Sequence, residues 1–205
     1  KLDTVNLGTD ARLDASRWTN GGTPYSTRSF IKFDLSSIPS TAVVCSAVLT
    51  FFTNADNNPS GFSKPNTSWL KRVQSSWSQS TITWKNQPRS YNETDKISFG
   101  PITTSLNTSY TIDVSSHAQS MINSPSTNFG WVFMLQDTVS TYAGLGIASS
   151  NSSTSTIRPK LSVTYVPSLT VTPTSTTICS GHSTTLTASG ATSYSWTPST
   201  GLSAT

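Results

Sequence analysis

Nine carboxylates and two histidines are a small supply of acid–base groups for a 205-residue chain. Asp113, Ser115, Ser116 and His117 fall together, so the residue types of a nucleophilic hydrolase are all present. Neighbours on one helical turn do not converge on one reacting atom, and no Gly-x-Ser-x-Gly elbow accompanies them. His117 therefore reads as a surface or capping residue, and His182 as a structural or solvated turn residue. His-Glu-x-x-His, Cys-x-x-Cys, P-loop and Gly-x-Gly-x-x-Gly motifs are also missing from the sequence. The expectation is a protein that is not an enzyme and holds no organic cofactor.

Two other chemistries have candidates. Calcium, the metal that oxygen donors in loops suit best, would use Asp56, Asn57 and Asn58, with Asp10 and Asp14 as a second cluster; the same residues also make ordinary turns. Carbohydrate binding needs flat aromatic faces near loops, with polar groups beside them. Trp18, Tyr25, Trp69 and Tyr91 fit that description, with Arg72 next in line. If the sugar were acidic, Arg17, Arg28, Lys71 and Arg72 would be its natural partners.

The elements that must position these residues are strands. Arg28 to Leu49 contains two extended apolar patterns joined by a polar corner at Asp34 to Pro39, and the other strands read as additions around this pair. Arg12 to Asp14 alternates with Leu13 and Ala15, and Asn20-Gly21-Gly22 marks a hairpin loop. Further strands are expected at 68–73, 81–85, 97–100, 110–114, 128–135, 143–148 and 161–165. One helix is expected, Ser115 to Asn123, capped by Ser115 or Ser116, with Val114, Ala118, Met121 and Ile122 on one face. Short strands with turns between them predict an all-β antiparallel, jelly-roll-like sandwich over residues 1–166. A new alternating pattern begins near Leu169 and defines a second segment, 167–205.

Composition agrees. Charged residues make up 11% of the chain against a globular norm of about 25%, as in Ser/Thr-rich extracellular β-proteins. Net charge is +4, but only Lys71 and Arg72 are adjacent, so no nucleic-acid partner is expected. No run approaches the roughly 18 apolar residues of a membrane span. Asn66, Asn92, Asn107 and Asn151 begin N-glycosylation sequons. Thr4 and Thr138 sit in Asp-Thr-aliphatic triplets similar to those that some Gram-negative bacteria O-glycosylate. Cys45, in an apolar run, reads as a free, small, buried hydrophobe.

The segments RSFIKFDLSSIP, WSQSTITWKNQP, IDV, NFGWVF and RPKLSVTY, together covering Asn6 to Tyr165, resemble the DNRLRE-type β-sandwich modules of large secreted bacterial proteins. That resemblance implies an extracellular or cell-surface setting in a Gram-negative bacterium. It also implies core positions for Trp77, Trp84 and Trp131, and an opening strand that would precede Lys1. Ile178 to Ala188 and Tyr194 to Trp196 resemble the first half of a bacterial Ig-like repeat, which implies a disulfide from Cys179 to a partner outside these residues. The first expectation is a structural or adhesive module, a fibre subunit completed by strand donation from neighbouring copies or domains of the same surface protein. The alternative rests on relatives that resemble alginate-recognising modules: a carbohydrate-binding module for an alginate-like polysaccharide. A polysaccharide-cleaving enzyme is the third reading.

Overall fold

Alternating apolar residues set the layers. The computed structural model describes residues 3–53, 65–102 and 107–203. Its strands are β1 (Arg12–Asn20), β2 (Thr23–Thr27), β3 (Ser29–Ile31), β4 (Val43–Phe52), β5 (Ser68–Arg72), β6 (Ile97–Phe99) and β7 (Ser109–Asp113). Helix α1 (Ser115–Asn123) follows, then β8 (Trp131–Leu135), β9 (Ala143–Ala148), β10 (Lys160–Val166), β11 (Thr170–Thr172) and β12 (Thr187–Ser189). All pairings are antiparallel, in sheets β2-β1-β9, β10-β4-β7, β3-β8-β5-β6 and β11-β12. A bridge between Thr53 and Ile147 joins the two three-stranded sheets at their ends. The described residues thus form an all-β sandwich with one short α-helix.

Every second residue of β4 faces inward, Ala47, Leu49 and Phe51, and meets Trp131 and Phe133 of β8 in the core. Phe51 stands 5.8 Å from both Phe99 and Phe133, edge to face. Helix α1 closes one side with Ala118, Met121 and Ile122. Among the described residues no helix is long and apolar enough to cross a membrane.

Buried Asn66 ties the layers together. Its amide donates to Ile102 O at 2.8 Å and Gly144 O at 3.0 Å, and its Oδ1 accepts from Ile102 N at 2.7 Å. Glycosylation there, which its sequon suggests, is incompatible with the fold, because the nitrogen that would carry the sugar is buried and already donating. Asn92 Oδ1 accepts from the Thr94 amide and hydroxyl, while Asn107, Asn151, Thr4 and Thr138 lie on the surface.

Several expectations are corrected. Arg28 to Leu49 is not a strand pair: β3 and β4 lie in different sheets, and the corner between them crosses from one to the other. Residues 81–85 form turns instead of a strand. Asn86 Oδ1 accepts from Thr83 N at 2.6 Å and its Nδ2 donates to Thr81 O at 2.9 Å, so the side chain takes the backbone groups a ladder would need. Cys45 is exposed, because β10 pairs Thr164 with Ser46 and Tyr165 with Val44, skipping Cys45 as a bulge. Helix α1 has Val114 at its N-cap; Ser115 instead donates its amide and hydroxyl to Asp113 Oδ1 at 2.9 and 2.6 Å. Cys179, whose expected disulfide partner lies outside these residues, is exposed, as are Leu169 and Ile178 around the β11–β12 hairpin.

Candidate carbohydrate-binding groove

The groove begins with a wall built by contacts between the N-terminal segment and residues 78–87. Asn6 donates from its amide to Gln79 O at 2.9 Å and Ile82 O at 2.6 Å, Gln79 Nε2 returns to Gly8 O at 2.6 Å, and Lys85 N donates to Asp3 O at 3.0 Å. The N-terminal segment and the 78–87 turns are thereby laced together. Only glycine fits at position 8, since a Cβ there would stand 1.9 Å from Gln79 O. Between this wall, the β1–β2 hairpin and β3 lies a groove of about 1380 Å³.

Arg28, the single residue between β2 and β3, is the most prepared group in it. Its guanidinium carbon lies 5.3 Å from the centre of the Trp84 ring and 5.9 Å from that of Tyr91. One nitrogen, Nη1, donates to the Tyr91 hydroxyl at 3.3 Å, and that hydroxyl donates to Pro88 O at 2.5 Å. Among the described residues no carboxylate lies within 4.0 Å of Arg28. A guanidinium held by rings with most of its N–H fork unused is shaped for a ligand carboxylate. Four cations and four carboxylates line the groove, so the lining carries no net charge, and the free N–H groups of Arg28 are its clearest receptor for an acidic group. Trp77 also lines the groove, fixed by its Nε1 on Phe129 O at 2.7 Å and by its ring 5.5 Å from Phe30.

The expected core placement therefore holds for Trp131 but not for Trp77 and Trp84, which are only partly buried. The expected sugar-binding set is split. Tyr25 lines the groove and Tyr91 braces Arg28, whereas Trp18 packs against Tyr142 at 4.9 Å on the β1 side. Trp69 is capped by Lys96, whose Nζ sits 4.7 Å above the ring. Arg72 and Lys71 are engaged by Asp95 and Glu93 at 2.6 Å each. Those pairs leave neither cation open to a ligand, which is why Arg28 alone of the four expected cations is both in the groove and prepared by ring contacts. Arg17, also in the groove, is spent on Val139 O at 3.2 Å and the Ser26 hydroxyl at 3.3 Å.

Asp56, Asn57 and Asn58 lie outside the described residues. Asp10 Oδ1 accepts from Arg12 N, Asp14 pairs with Arg12 at 2.5 Å, and the described residues contain no group of three or more acidic, His or Cys side chains placed to hold a metal. Burial pushes the Asp14 carboxyl upward from its ordinary range, with Arg12 opposing.

His117 is neither at the surface nor a cap; it is fully buried. Indole N–H only donates, so His117 Nδ1 must accept from Trp131 Nε1 at 2.9 Å, and Nε2 then carries the proton it donates to Asp95 O at 2.7 Å. No reacting atom can approach. Burial lowers the pKa of His117 below 6.5, aided by Arg72 and opposed by the Asp95 carbonyl and carboxylate. The unfolded chain thus takes up this proton first as pH falls. The stability His117 contributes is complete above about pH 6.5 and declines below it, by at most about 1.4 kcal/mol per pH unit for one proton. Urea unfolding between pH 8 and 5 is expected to show that decline, flattened in His117→Gln.

The family model for carbohydrate-binding module family 96 matches residues 1–165, and residues 166–205 lie outside it. No curated protein matches the chain.

Proposed function

Because the chain belongs to carbohydrate-binding module family 96, we propose that it is a non-catalytic module that binds an acidic, alginate-like polysaccharide in the groove around Arg28. The observation that carries this reading is the unpaired Arg28 fork clamped by Trp84 and Tyr91. Tyr25 and Trp77 add aromatic surface to the groove, and Lys32 adds a second cation. Chain-like glycans suit an open groove with rings and a carboxylate receptor. The structural or fibre-subunit expectation has no comparable support, since the matched family is one of binding modules. A module that meets such polymers works outside the cell, and the extracellular setting is part of the proposal.

Native gels cast with alginate or with a neutral galactomannan test it. The protein is expected to be retarded by alginate, less so as salt rises, and to run freely in galactomannan. Free migration in alginate, or equal retardation in both, refutes the reading.

A further inference from the structure

Two of the groove's four cations stand on one stretch of chain without an acidic partner. Arg12 pairs with Asp14, and Arg17 is taken up by Val139 O and the Ser26 hydroxyl. Arg28 and Lys32 remain, since among the described residues no carboxylate lies within 4.0 Å of either. Asp34, two positions from Lys32, has its Oδ1 engaged by Ser36 N at 2.9 Å. Strand β3 and its flanks put the two cations on the same side. Ser29 reaches across to β1, its hydroxyl donating to Asp14 O at 2.7 Å, while Ile31 and Phe33 pack against the core. Period-two alternation therefore turns Arg28, Phe30 and Lys32 the other way. Phe30 and Trp77, both half-buried, stand 5.5 Å apart, so this side reads cation, aromatic pair, cation. Gly130 fixes its far end. A Cβ at that position would stand 2.1 Å from Ile31 O and 2.9 Å from Lys32 Cβ, so only glycine lets the turn whose Phe129 carbonyl holds Trp77 lie against Lys32.

Four residues of extended chain span at most about 14 Å, and here two rings stand along the way, so one carboxylate does not serve both cations. An extended 1,4-linked uronan has a matching period: successive residues turn over, and the carboxylates facing one side come from alternate sugars. Resting on the reading of the groove as a polyuronate site, we propose that Lys32 takes a second carboxylate of the same chain, two residues along from the one on Arg28, with the intervening sugar over Phe30 and Trp77. The groove thereby reads three consecutive residues. Arg28 makes the fork-shaped contact, and Lys32 is a point charge that sets register and minimum length. A polymer whose carboxylates sit on isolated residues satisfies one cation and leaves the other in water.

The test is calorimetric titration of the whole chain with the dimer and the trimer of mannuronate. The wild-type protein is expected to bind the trimer about three- to fivefold more tightly than the dimer, the gain from one solvent-exposed charge pair, and to lose that gain as salt rises. In Lys32→Ala the ratio is expected to fall toward one through weaker binding of the trimer, and Lys32→Arg is expected to restore it. Lys32 is exposed, so both variants are expected to keep the wild-type circular dichroism spectrum. Arg28→Ala is expected to weaken dimer and trimer alike. Equal wild-type affinity for the two lengths overturns the second carboxylate contact and leaves the groove reading standing. A trimer preference that Lys32→Ala retains in full overturns the assignment to Lys32. Binding of neither oligomer overturns the groove reading and this inference together.

Discussion

Replacing Arg28 with alanine is expected to weaken binding to alginate oligomers on the order of 30- to 100-fold while leaving the protein folded. A hydrogen bond to a charged partner is worth about 1.5–3 kcal/mol, and the guanidinium fork can make two to one carboxylate. The loss corresponds to about 2–2.7 kcal/mol. Lysine at the same position keeps the charge but not the fork, and a compact ammonium does not span the gap between Trp84 and Tyr91 as a planar group does. Arg28→Lys is therefore expected to recover only a part of the affinity. The stacking lost from Trp84 and Tyr91 lowers stability by about 1 kcal/mol at most, because these are partly exposed cation–aromatic contacts. Calorimetry with circular dichroism on the same samples separates the two effects. An Arg28→Ala protein that stays folded and binds as wild type would remove Arg28 from the site.

The second large effect concerns the frame. Asn66→Ala is expected to lower stability by about 3 kcal/mol, since it removes three hydrogen bonds and strands both backbone groups of Ile102 and the carbonyl of Gly144. Gly144 belongs to β9, and Ile102 follows β6, so one amide joins the three-stranded sheet of β1 to the four-stranded sheet opposite. Asn66→Asp is expected to be destabilising as well, because a carboxylate cannot donate to the two carbonyls. Urea denaturation at pH 7 measures both. A loss below about 1 kcal/mol in Asn66→Ala would mean that water replaces the amide and that the sheets are held by the apolar core alone.

Much of the frame was legible because it is local. The helix over Ser115–Asn123 follows from apolar spacing, and β9 and β10 from runs bounded by turn residues. The 81–85 stretch misled for a physical reason: Ile82 and Trp84 alternate as in a strand, yet Asn86 captures the backbone of Thr83 and Thr81 and coils the chain into turns. That coiling swings Trp84 out of the core and under Arg28. The groove itself was harder to read, because most of its lining comes from residues 3–36 and 77–87, and nothing in either segment announces that Asn6 and Gln79 will join them. Sequence also gave no sign that Lys71 and Arg72 would be neutralised by Glu93 and Asp95, partners more than twenty positions away. A buried histidine was missed for the same reason: the partner that fixes it, Trp131, lies on β8 across a turn from α1.

Six tryptophans give six indole N–H signals, each reporting one location. Titrating the labelled protein with a mannuronate hexamer, followed by nitrogen–proton correlation spectra, reads the binding site directly. The groove account predicts that the signals of Trp84 and Trp77 move with saturation, while those of buried Trp131 and Lys96-capped Trp69 stay in place. Movement confined to Trp18 or Trp69, with Trp84 and Trp77 unchanged at saturating ligand, would contradict it.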